Sequence, residues 1–181
     1  MKKLLLMCGI PGSGKSTLAK KICENTPNSV HISRDIIRFN LLENTPEYVK
    51  AFTGRETATT EEQRRVIQDN YFSKEKKVYQ EFIRQIKEGL TNYDLTIADA
   101  SHINEASRNK LLRALGTSLK DVEVDIMVVK VPFDLAVAQN NLRKNTITFV
   151  PSEVLNAMNK SMTMPTKEEG FDNIYIYERE I

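Results

Sequence analysis

The sequence contains only two cysteines, Cys8 and Cys23, among its 181 residues, and it contains no tryptophan. Two cysteines cannot form a disulfide framework or a zinc site with four cysteine ligands, so both features are excluded. We expect both thiols to be buried, in a protein of the reducing cytoplasm. No apolar run reaches the roughly 20 residues of a membrane-spanning helix, so we expect no membrane partner.

An excess of charge of one sign is also absent. The 26 Lys and Arg residues against 24 Asp and Glu residues leave a net charge of +2, which argues against a protein that coats nucleic acid through bulk electrostatics. A local basic groove stays open, because net charge does not report how charges cluster. The first apolar run imitates the start of a signal peptide, but it ends at Gly9 without a cleavage site and therefore predicts a buried strand.

Short apolar runs alternate with helical patterns along the chain, and nothing marks a domain boundary. This alternation predicts one α/β domain over residues 1–181 with a mostly parallel sheet. The predicted strands are 3–8, 30–33, 95–98, 122–131 and 174–177, and the predicted helices are 16–24, 35–42, 61–90, 104–115, 133–142 and 152–162. In the third of these helices, one apolar face is predicted from Tyr79, Phe82, Ile83, Ile86 and Leu90. Segment 43–60 breaks the pattern, and we expect a mobile excursion there.

One motif carries most of the functional prediction. Residues 9–17, GIPGSGKST, match G-x-x-x-x-G-K-[ST] and lie between an apolar strand pattern and a helix, as a phosphate-binding loop requires. Glycines let such a loop turn backbone N–H groups toward phosphate oxygens, and the following helix N-terminus adds partial positive charge. We expect Lys15 to reach the β- and γ-phosphates and the Ser16 hydroxyl to bind Mg²⁺. The predicted nucleotide-binding residues are Gly12, Ser13, Gly14, Lys15, Ser16 and Thr17.

The classes of nucleotide-binding protein can be narrowed from the same sequence. A GTPase requires D-x-x-G and N-K-x-D motifs, and neither occurs. Mechanical ATPases usually need a longer chain and an arginine supplied by a neighbouring subunit. A small kinase that uses ATP and Mg²⁺ fits best, and it needs an acceptor site at the carboxyl ends of neighbouring strands.

Asp35 and Arg38 are candidate acceptor-site residues. They follow the second predicted strand and lie three positions apart, so they share one helix face. We interpret the carboxylate as a catalytic base for the attacking hydroxyl, and the guanidinium as a bidentate contact for an acceptor phosphate or carboxylate. The alternative, given equal weight, is a surface ion pair in which Asp35 caps the helix.

Asp99 closes the third predicted strand, at the same predicted edge of the sheet. It is interpreted as a water-mediated Mg²⁺ contact or a grip on the acceptor hydroxyl, with a cap of the next turn as the alternative. We expect His102 to be a turn or packing residue, because His31 is the only other histidine and no cluster of metal ligands surrounds either.

A polar segment between the last two predicted helices is typical of a lid that closes over phosphates, and we place this lid at 138–163. Arg143 and Lys144 are its candidate cations for the transferred phosphoryl group. The alternative is that both complement the negative end of the preceding helix.

At this level of detail the chain resembles the kinase domain of phage-type 5′-hydroxyl polynucleotide kinases, over roughly residues 1–163. The P-loop itself is shared by a whole superfamily, and related small kinases such as zeta-type toxins also carry R-D-x-x-R and the lid exit V-P. The resemblance implies a P-loop kinase sandwich of three layers, with about five strands and a helical lid. It rests on the P-loop at 12–17, the segment 33–38, Asp99, and the lid exit at 150–151 with 154–155 and 160–162.

The resemblance also implies roles for single residues. Lys15 would neutralise the donor phosphates, Asp35 would be the general base, and Arg38 would engage the acceptor phosphate. Asp99 would help form the acceptor pocket, and Arg143 would be the catalytic lid arginine. Two departures stand out: Asn140 and Asn141 precede Arg143 where the family usually carries arginine, and the fused phosphatase module is missing, so 3′-end processing would need a separate protein.

Three functions stay open at this point. The first is an ATP-dependent kinase acting on a polynucleotide 5′-hydroxyl. The second is a small-molecule kinase on the same scaffold, acting on a nucleotide-sugar, a nucleoside or an antibiotic. The third is a nucleotide-dependent binding module with weak ATPase activity. The small net charge slightly favours the second, whereas Arg38 favours the first.

Overall fold

The computed structural model of the chain describes residues 1–41, 61–143 and 148–179. The excursion expected at 43–60 and the candidate lid cation Lys144 therefore lie outside the described residues. Within these ranges the chain forms one sheet with helices on both of its faces.

The sheet has five strands in the described ranges, all parallel, in the order β2-β3-β1-β4-β5. Met7 in β1 pairs with Asp99 in β3 and with Met127 in β4, while Asp99 pairs on its other side with Ser33 in β2. This register places the carboxyl ends of the first three strands side by side. The strands are β1 Lys2–Cys8, β2 Ser29–Ser33, β3 Leu95–Asp99, β4 Val122–Lys130 and β5 Asn173–Glu178.

Six α-helices connect and cover these strands in the described part of the chain, together with 3₁₀ turns at Gly116–Leu119 and Lys167–Glu169. The predicted elements are confirmed, with ends that move by one or two residues. The helices are α1 Lys15–Glu24, α2 Arg34–Leu41, α3 Glu61–Asn92, α4 Glu105–Leu115, α5 Phe133–Asn141 and α6 Ser152–Ser161.

The central strands are apolar on both faces because helices bury both. Leu4 and Leu6 of β1 face one side, where they pack with Phe82 and Ile86 of α3 and with residues of α4. Leu5 and Met7 face the other side, with α1 against them. The sheet and the helices on its two faces form the predicted three layers. Parallel strands that are buried on both faces appear in the sequence as continuous apolar runs. The predicted α/β fold with a parallel sheet is confirmed.

A third apolar cluster lies at the end of the molecule that carries the phosphate-binding loop. Ile10 and Ile103 pack there with Ala136 of α5 and Leu155 of α6. Helix α5, which leads into the candidate lid segment 138–163, and helix α6, which lies within it, are therefore both fixed to the body of the domain. No helix among the described residues is long and apolar enough to cross a bilayer.

The cysteines behave differently from each other. Cys8 is fully buried, its thiol donates to the His102 carbonyl at 3.2 Å, and burial raises its pKa to about 11. Cys23 is only half-buried, at the end of α1, where it accepts a hydrogen bond from the Ser29 hydroxyl. The expectation of two buried thiols is therefore correct for Cys8 and wrong for Cys23, because one side of α1 faces solvent.

A buried ion pair ties the end of the chain to α4. The Arg108 side chain is fully buried, and its Nε and Nη2 donate to the two carboxylate oxygens of Glu169 at 2.6 and 2.8 Å. Its Nη1 also donates to the Thr163 carbonyl at 2.9 Å. Burial alone raises the pKa of Glu169, but the bonds to Arg108 hold this pKa below its usual value of 4.5. The charged form is therefore the one that the fold stabilises.

We predict that Glu169→Gln lowers the free energy of unfolding at pH 7 by about 3–5 kcal/mol, because the buried Arg108 charge loses its partner. Since the folded-state pKa of Glu169 is lowered, its contribution is present above pH 4.5 and is lost as the pH falls through the folded-state value. Urea unfolding of both proteins at pH 7 and pH 3 should show the difference shrinking in acid. Glu168→Gln, an exposed neighbour, is the control and should change little at either pH.

Candidate active site

The phosphate-binding loop leaves the carboxyl end of β1 and enters α1. Gly12 has φ +83°, and a Cβ there would lie 2.2 Å from the carbonyl oxygen of Ala136, so only glycine fits. Gly14 has φ +89° and precedes the first helical residue, Lys15. The loop thus passes too close to α5 for a side chain at position 12.

The loop presents unpartnered polar groups, as an anion site requires. Helix α1 has no side-chain cap, so the N–H groups of its first turn lack an acceptor from a capping side chain. Ser13 is fully buried, and its hydroxyl has no hydrogen-bond partner among the described residues. These donors and the positive end of α1 suit the phosphate oxygens of a nucleotide.

A cavity of about 850 Å³ opens beside the loop, which we call the donor cavity. All six predicted nucleotide-binding residues line it, from Gly12 to Thr17. Its cationic lining residues are Lys15, Lys21, Arg143 and Arg179, and no carboxylate occurs among the described residues that line it. The electrostatic field in the donor cavity therefore favours a polyanion.

A second cavity of about 470 Å³, the acceptor cleft, adjoins the donor cavity. The predicted residues Asp35, Arg38 and Asp99 all line this cleft. Lys15 and Arg143 line both cavities, so they lie where the two meet. Every predicted site residue that the structure describes thus lines one of two adjoining cavities.

Asp35 and Arg38 form the ion pair that was considered as an alternative. Arg38 Nη1 donates to Asp35 Oδ1 at 2.5 Å, but Arg38 is only 7% exposed, so the pair is not a surface pair. Asp35 does not cap α2 either. The Ser33 hydroxyl accepts the N–H of Ile36 instead, which leaves the Asp35 carboxylate 44% exposed beside the cleft.

Glu75 of α3 is a site residue that the sequence did not reveal. Its carboxylate accepts hydrogen bonds from Arg38 Nε at 3.1 Å, from Arg38 Nη2 at 2.8 Å and from Arg34 Nη2 at 2.6 Å. Burial raises the pKa of Glu75, but the two guanidinium groups outweigh burial and lower it. One carboxylate therefore fixes both arginines. Glu75 could not be singled out from the sequence, because its helix contains many charged residues of both signs.

Asp99 is buried at the end of β3, where His31 Nε2 lies 2.9 Å from its Oδ2. Burial raises the pKa of Asp99, but the hydrogen bond to His31, the charge of Lys15 and a hydrogen bond to Ser16 together lower it. The Asp99 carboxylate is thus ionised beside the hydroxyl predicted to bind Mg²⁺. No cluster of three or more His, Cys, Asp or Glu residues that would bind a metal by itself occurs in the described ranges.

Tyr79 belongs to the cleft rather than to the core face predicted for α3. The Arg34 guanidinium lies 5.2 Å from the centre of its ring, and Lys110 Nζ lies 4.7 Å from it. The Tyr79 hydroxyl and Arg34 Nε are buried without hydrogen-bond partners among the described residues. All three side chains line the acceptor cleft. The helical spacing predicted that Tyr79 shares the apolar face of Phe82, but the Tyr79 ring contacts two cations instead.

His102 is a turn and packing residue, as expected. It has φ +43°, stacks on Phe82 with ring centres 6.2 Å apart, and its Nδ1 lies 2.8 Å from the Met7 carbonyl oxygen. Burial lowers its pKa to about 4, so the ring is neutral at pH 7.

Asn140 closes the base of the lid segment. Its side-chain amide donates to the Val150 carbonyl at 2.7 Å and accepts the Val150 N–H at 3.1 Å. This buried amide joins the end of α5 to Val150, two residues before α6. Asn140, interpreted from the sequence as a departure from the family's arginine, therefore has a structural role.

Residues 4–165 match the family model described as an AAA domain, so the chain belongs to this family. No curated protein matches the chain. The membership in the P-loop kinase superfamily inferred from the sequence is confirmed.

Solved structures share the fold at low identity. One is a chain of the Pnkp1/Rnl/Hen1 RNA repair complex, with TM-score 0.56 and 19% identity over 89% of this chain and 44% of that one. A fungal RNA kinase has TM-score 0.59 and 10% identity, and the match covers 99% of this chain and 75% of that one. A chain of the PezAT toxin–antitoxin system of Streptococcus pneumoniae has TM-score 0.57 and 18% identity, and the match covers 98% of this chain and 67% of that one. This chain thus spans less than half of the RNA repair protein that it matches.

We predict that Glu75→Gln lowers the free energy of unfolding by roughly 1–3 kcal/mol, because two arginines lose their shared carboxylate in a partly exposed setting. Glu88→Gln is the matched control, since Glu88 pairs with Arg84 on the same helix but is exposed. Its cost should stay below about 1 kcal/mol. Denaturant unfolding of both variants measures the difference, and equal losses would show that Glu75 holds no special position.

Proposed function

We propose that this protein is an ATP-dependent kinase that transfers the γ-phosphate to a hydroxyl group, and that its acceptor is the 5′-hydroxyl of a polynucleotide. The observation that carries this proposal is the junction of two cavities at Lys15 and Arg143. One cavity is lined by the phosphate-binding loop and the other by the exposed carboxylate of Asp35. A phosphoryl group at the junction would be reached from both sides.

The donor side uses the loop and its neighbours. The first-turn N–H groups of α1 and the Lys15 ammonium would hold the phosphates. The hydroxyl of Ser16 would ligate Mg²⁺, and the ionised Asp99 beside it would hold the metal's water. Mg²⁺ bound there would supply positive charge that neutralises the charge developing on the phosphates.

The acceptor side supplies the base. Asp35 would accept the proton of the attacking hydroxyl as its oxygen bonds to the γ-phosphorus and the bond from that phosphorus to the ADP oxygen breaks. Arg38 donates to Asp35 and so orients the carboxylate. As expected from the resemblance, Arg38 would also contact the acceptor phosphate, and Arg143 would stabilise the transferred group from the opposite wall.

The chemistry around Tyr79 favours a polynucleotide over a small neutral acceptor. Arg34 and Lys110 lie over its ring in the cleft, so an anionic group such as an acceptor phosphodiester would find two cations there. A small-molecule kinase is the second candidate, because a cleft of about 470 Å³ has the size of an ordinary small-molecule site.

Transfer of labelled phosphate from ATP in the presence of Mg²⁺ tests the proposal directly. The acceptors are 5′-hydroxyl oligonucleotides, a nucleoside 3′-monophosphate, the bare nucleoside and an aminoglycoside. We expect labelled oligonucleotide, and Lys15→Ala should reduce the rate by about 10²–10³ because the phosphates lose a fixed cation. Label on the small acceptors alone would favour the second candidate. Release of inorganic phosphate alone would favour a nucleotide-dependent binding module.

We predict that Asp35→Asn reduces turnover by about 10²–10⁴, because the amide cannot accept the proton. ATP affinity should change little, since Asp35 lines the acceptor cleft and not the donor cavity. The melting temperature should fall only slightly, because Ser33 and not Asp35 bonds to the first turn of α2. A turnover close to that of the unmodified protein would remove Asp35 from the role of base.

The acceptor class is tested at Lys110, which is exposed and can be changed without disturbing the fold. Lys110→Gln should lower kcat/KM on the nucleoside 3′-monophosphate or a dinucleotide by about 10-fold, since one charge-assisted contact is lost. Activity on the bare nucleoside should not change. Arg113→Gln, an exposed cation on the same helix outside the cleft, is the control. Equal losses on all acceptors would argue against a phosphate contact at Lys110.

A further inference from the structure

We infer that Arg179, which follows β5, contacts the phosphates of the bound nucleotide and so makes the end of the described chain part of the donor site. This inference rests on the proposed function, because it requires a nucleotide in the donor cavity. It adds a binding residue that lies far along the chain from the phosphate-binding loop.

The position of the Arg179 side chain carries the inference. Its Nη1 lies 3.1 Å from the place that a Cβ on Gly14 would occupy, and its Cδ and Cζ lie 3.9 and 4.0 Å from the same point. The guanidinium therefore lies against Gly14, the glycine that precedes α1. It also lines the donor cavity together with Tyr177 from β5.

The sheet fixes this position. The Arg179 N–H donates to the Lys130 carbonyl at 3.0 Å, which extends the pairing of β5 with β4 by one residue. The backbone at Arg179 is thus held by the same ladder that holds the core strands. A guanidinium on this backbone can reach the loop without a separate folding event.

The electrostatic setting of Arg179 favours an anion. Among the described residues its guanidinium has no carboxylate partner, while Lys15 and the positive end of α1 lie beside it. A cation near a helix N-terminus is destabilised, and one near a second cation is destabilised further. No carboxylate among the described residues lining the donor cavity relieves this repulsion. The phosphates of a nucleotide would relieve it.

Helix α5 and the turn after it supply few side chains that could contact the phosphates in place of Arg179. Both polar ends of the Asn140 amide are bonded to the Val150 backbone, so Asn140 is not available to a phosphate. Arg143 is then the cation that α5 and the turn after it bring to the donor cavity within the described residues. Arg179 lies more than 160 residues after the phosphate-binding loop and adds a second guanidinium to the cavity.

The test is direct nucleotide binding without an acceptor, measured by calorimetry with ATP, ADP and adenosine in the presence of Mg²⁺. Arg179→Gln should weaken ATP and ADP binding by about 10- to 100-fold and leave adenosine binding unchanged, because only charge-assisted contacts to phosphate are lost. Arg179→Lys should recover part of the loss, since an ammonium keeps the charge without the planar fork. Thermal melting checks that each variant is folded.

Lys130→Gln is the control, because Lys130 pairs with Glu178, the residue before Arg179, and lines neither cavity. It removes the same charge and should leave ATP binding unchanged. If Arg179→Gln binds ATP as tightly as the unmodified protein, the inference is wrong and the proposed function stands. An equal loss for adenosine would place Arg179 on the base or sugar and overturn the phosphate contact. If the unmodified protein binds no nucleotide, the proposed function fails and the inference fails with it.

Discussion

The register of the parallel sheet is the constraint on which the site depends. Because Met7 pairs with Asp99 and Asp99 pairs with Ser33, three chain segments leave the sheet at one edge. The phosphate-binding loop, the start of α2 and the Asp99 carboxylate meet there for this reason alone. Shifting one strand by one residue would turn its side chains to the opposite face and separate the groups. The apolar packing on both faces of β1 therefore fixes the chemistry as well as the fold.

At that edge the charges are organised by carboxylates from distant segments. Arg38 is held between Asp35 in its own helix and Glu75 in α3, and Glu75 also holds Arg34. Asp99 is held in a similar way by His31. The side chains of the acceptor cleft therefore have defined positions without a ligand. Such preorganisation reduces the cost of arranging charged groups when a substrate binds.

The sequence was sufficient where function depends on local patterns. Strand, loop and helix follow one another within residues 2–24, so the loop residues 12–17 that line the donor cavity were predicted, and Asp35 and Asp99 were proposed because they follow or end strands. Glu75, Lys110 and Arg179 were not found, since each contacts its cavity partner across 31 or more residues and belongs to no short motif. Tyr79 was misplaced because helical spacing identifies a stripe but not which end of it reaches a cleft. Asn140 was interpreted as a departure from the family's lid arginine, whereas its side-chain amide binds the backbone of Val150.

The net charge of +2 hides a separation of charge between the two cavities. The described residues lining the donor cavity include four cations and no carboxylate, whereas the acceptor cleft sets Asp35, Glu75 and Asp99 against its cations. A total near zero therefore says nothing against an anionic substrate, and it no longer favours a small neutral acceptor. The charged side chains among the described residues lining the donor cavity are all cations, whereas the lining of the acceptor cleft mixes carboxylates with cations. Cations alone would lower the proton affinity of a carboxylate, and neighbouring carboxylates offset that effect, so a mixed lining suits the proposed general-base chemistry better than a purely cationic one.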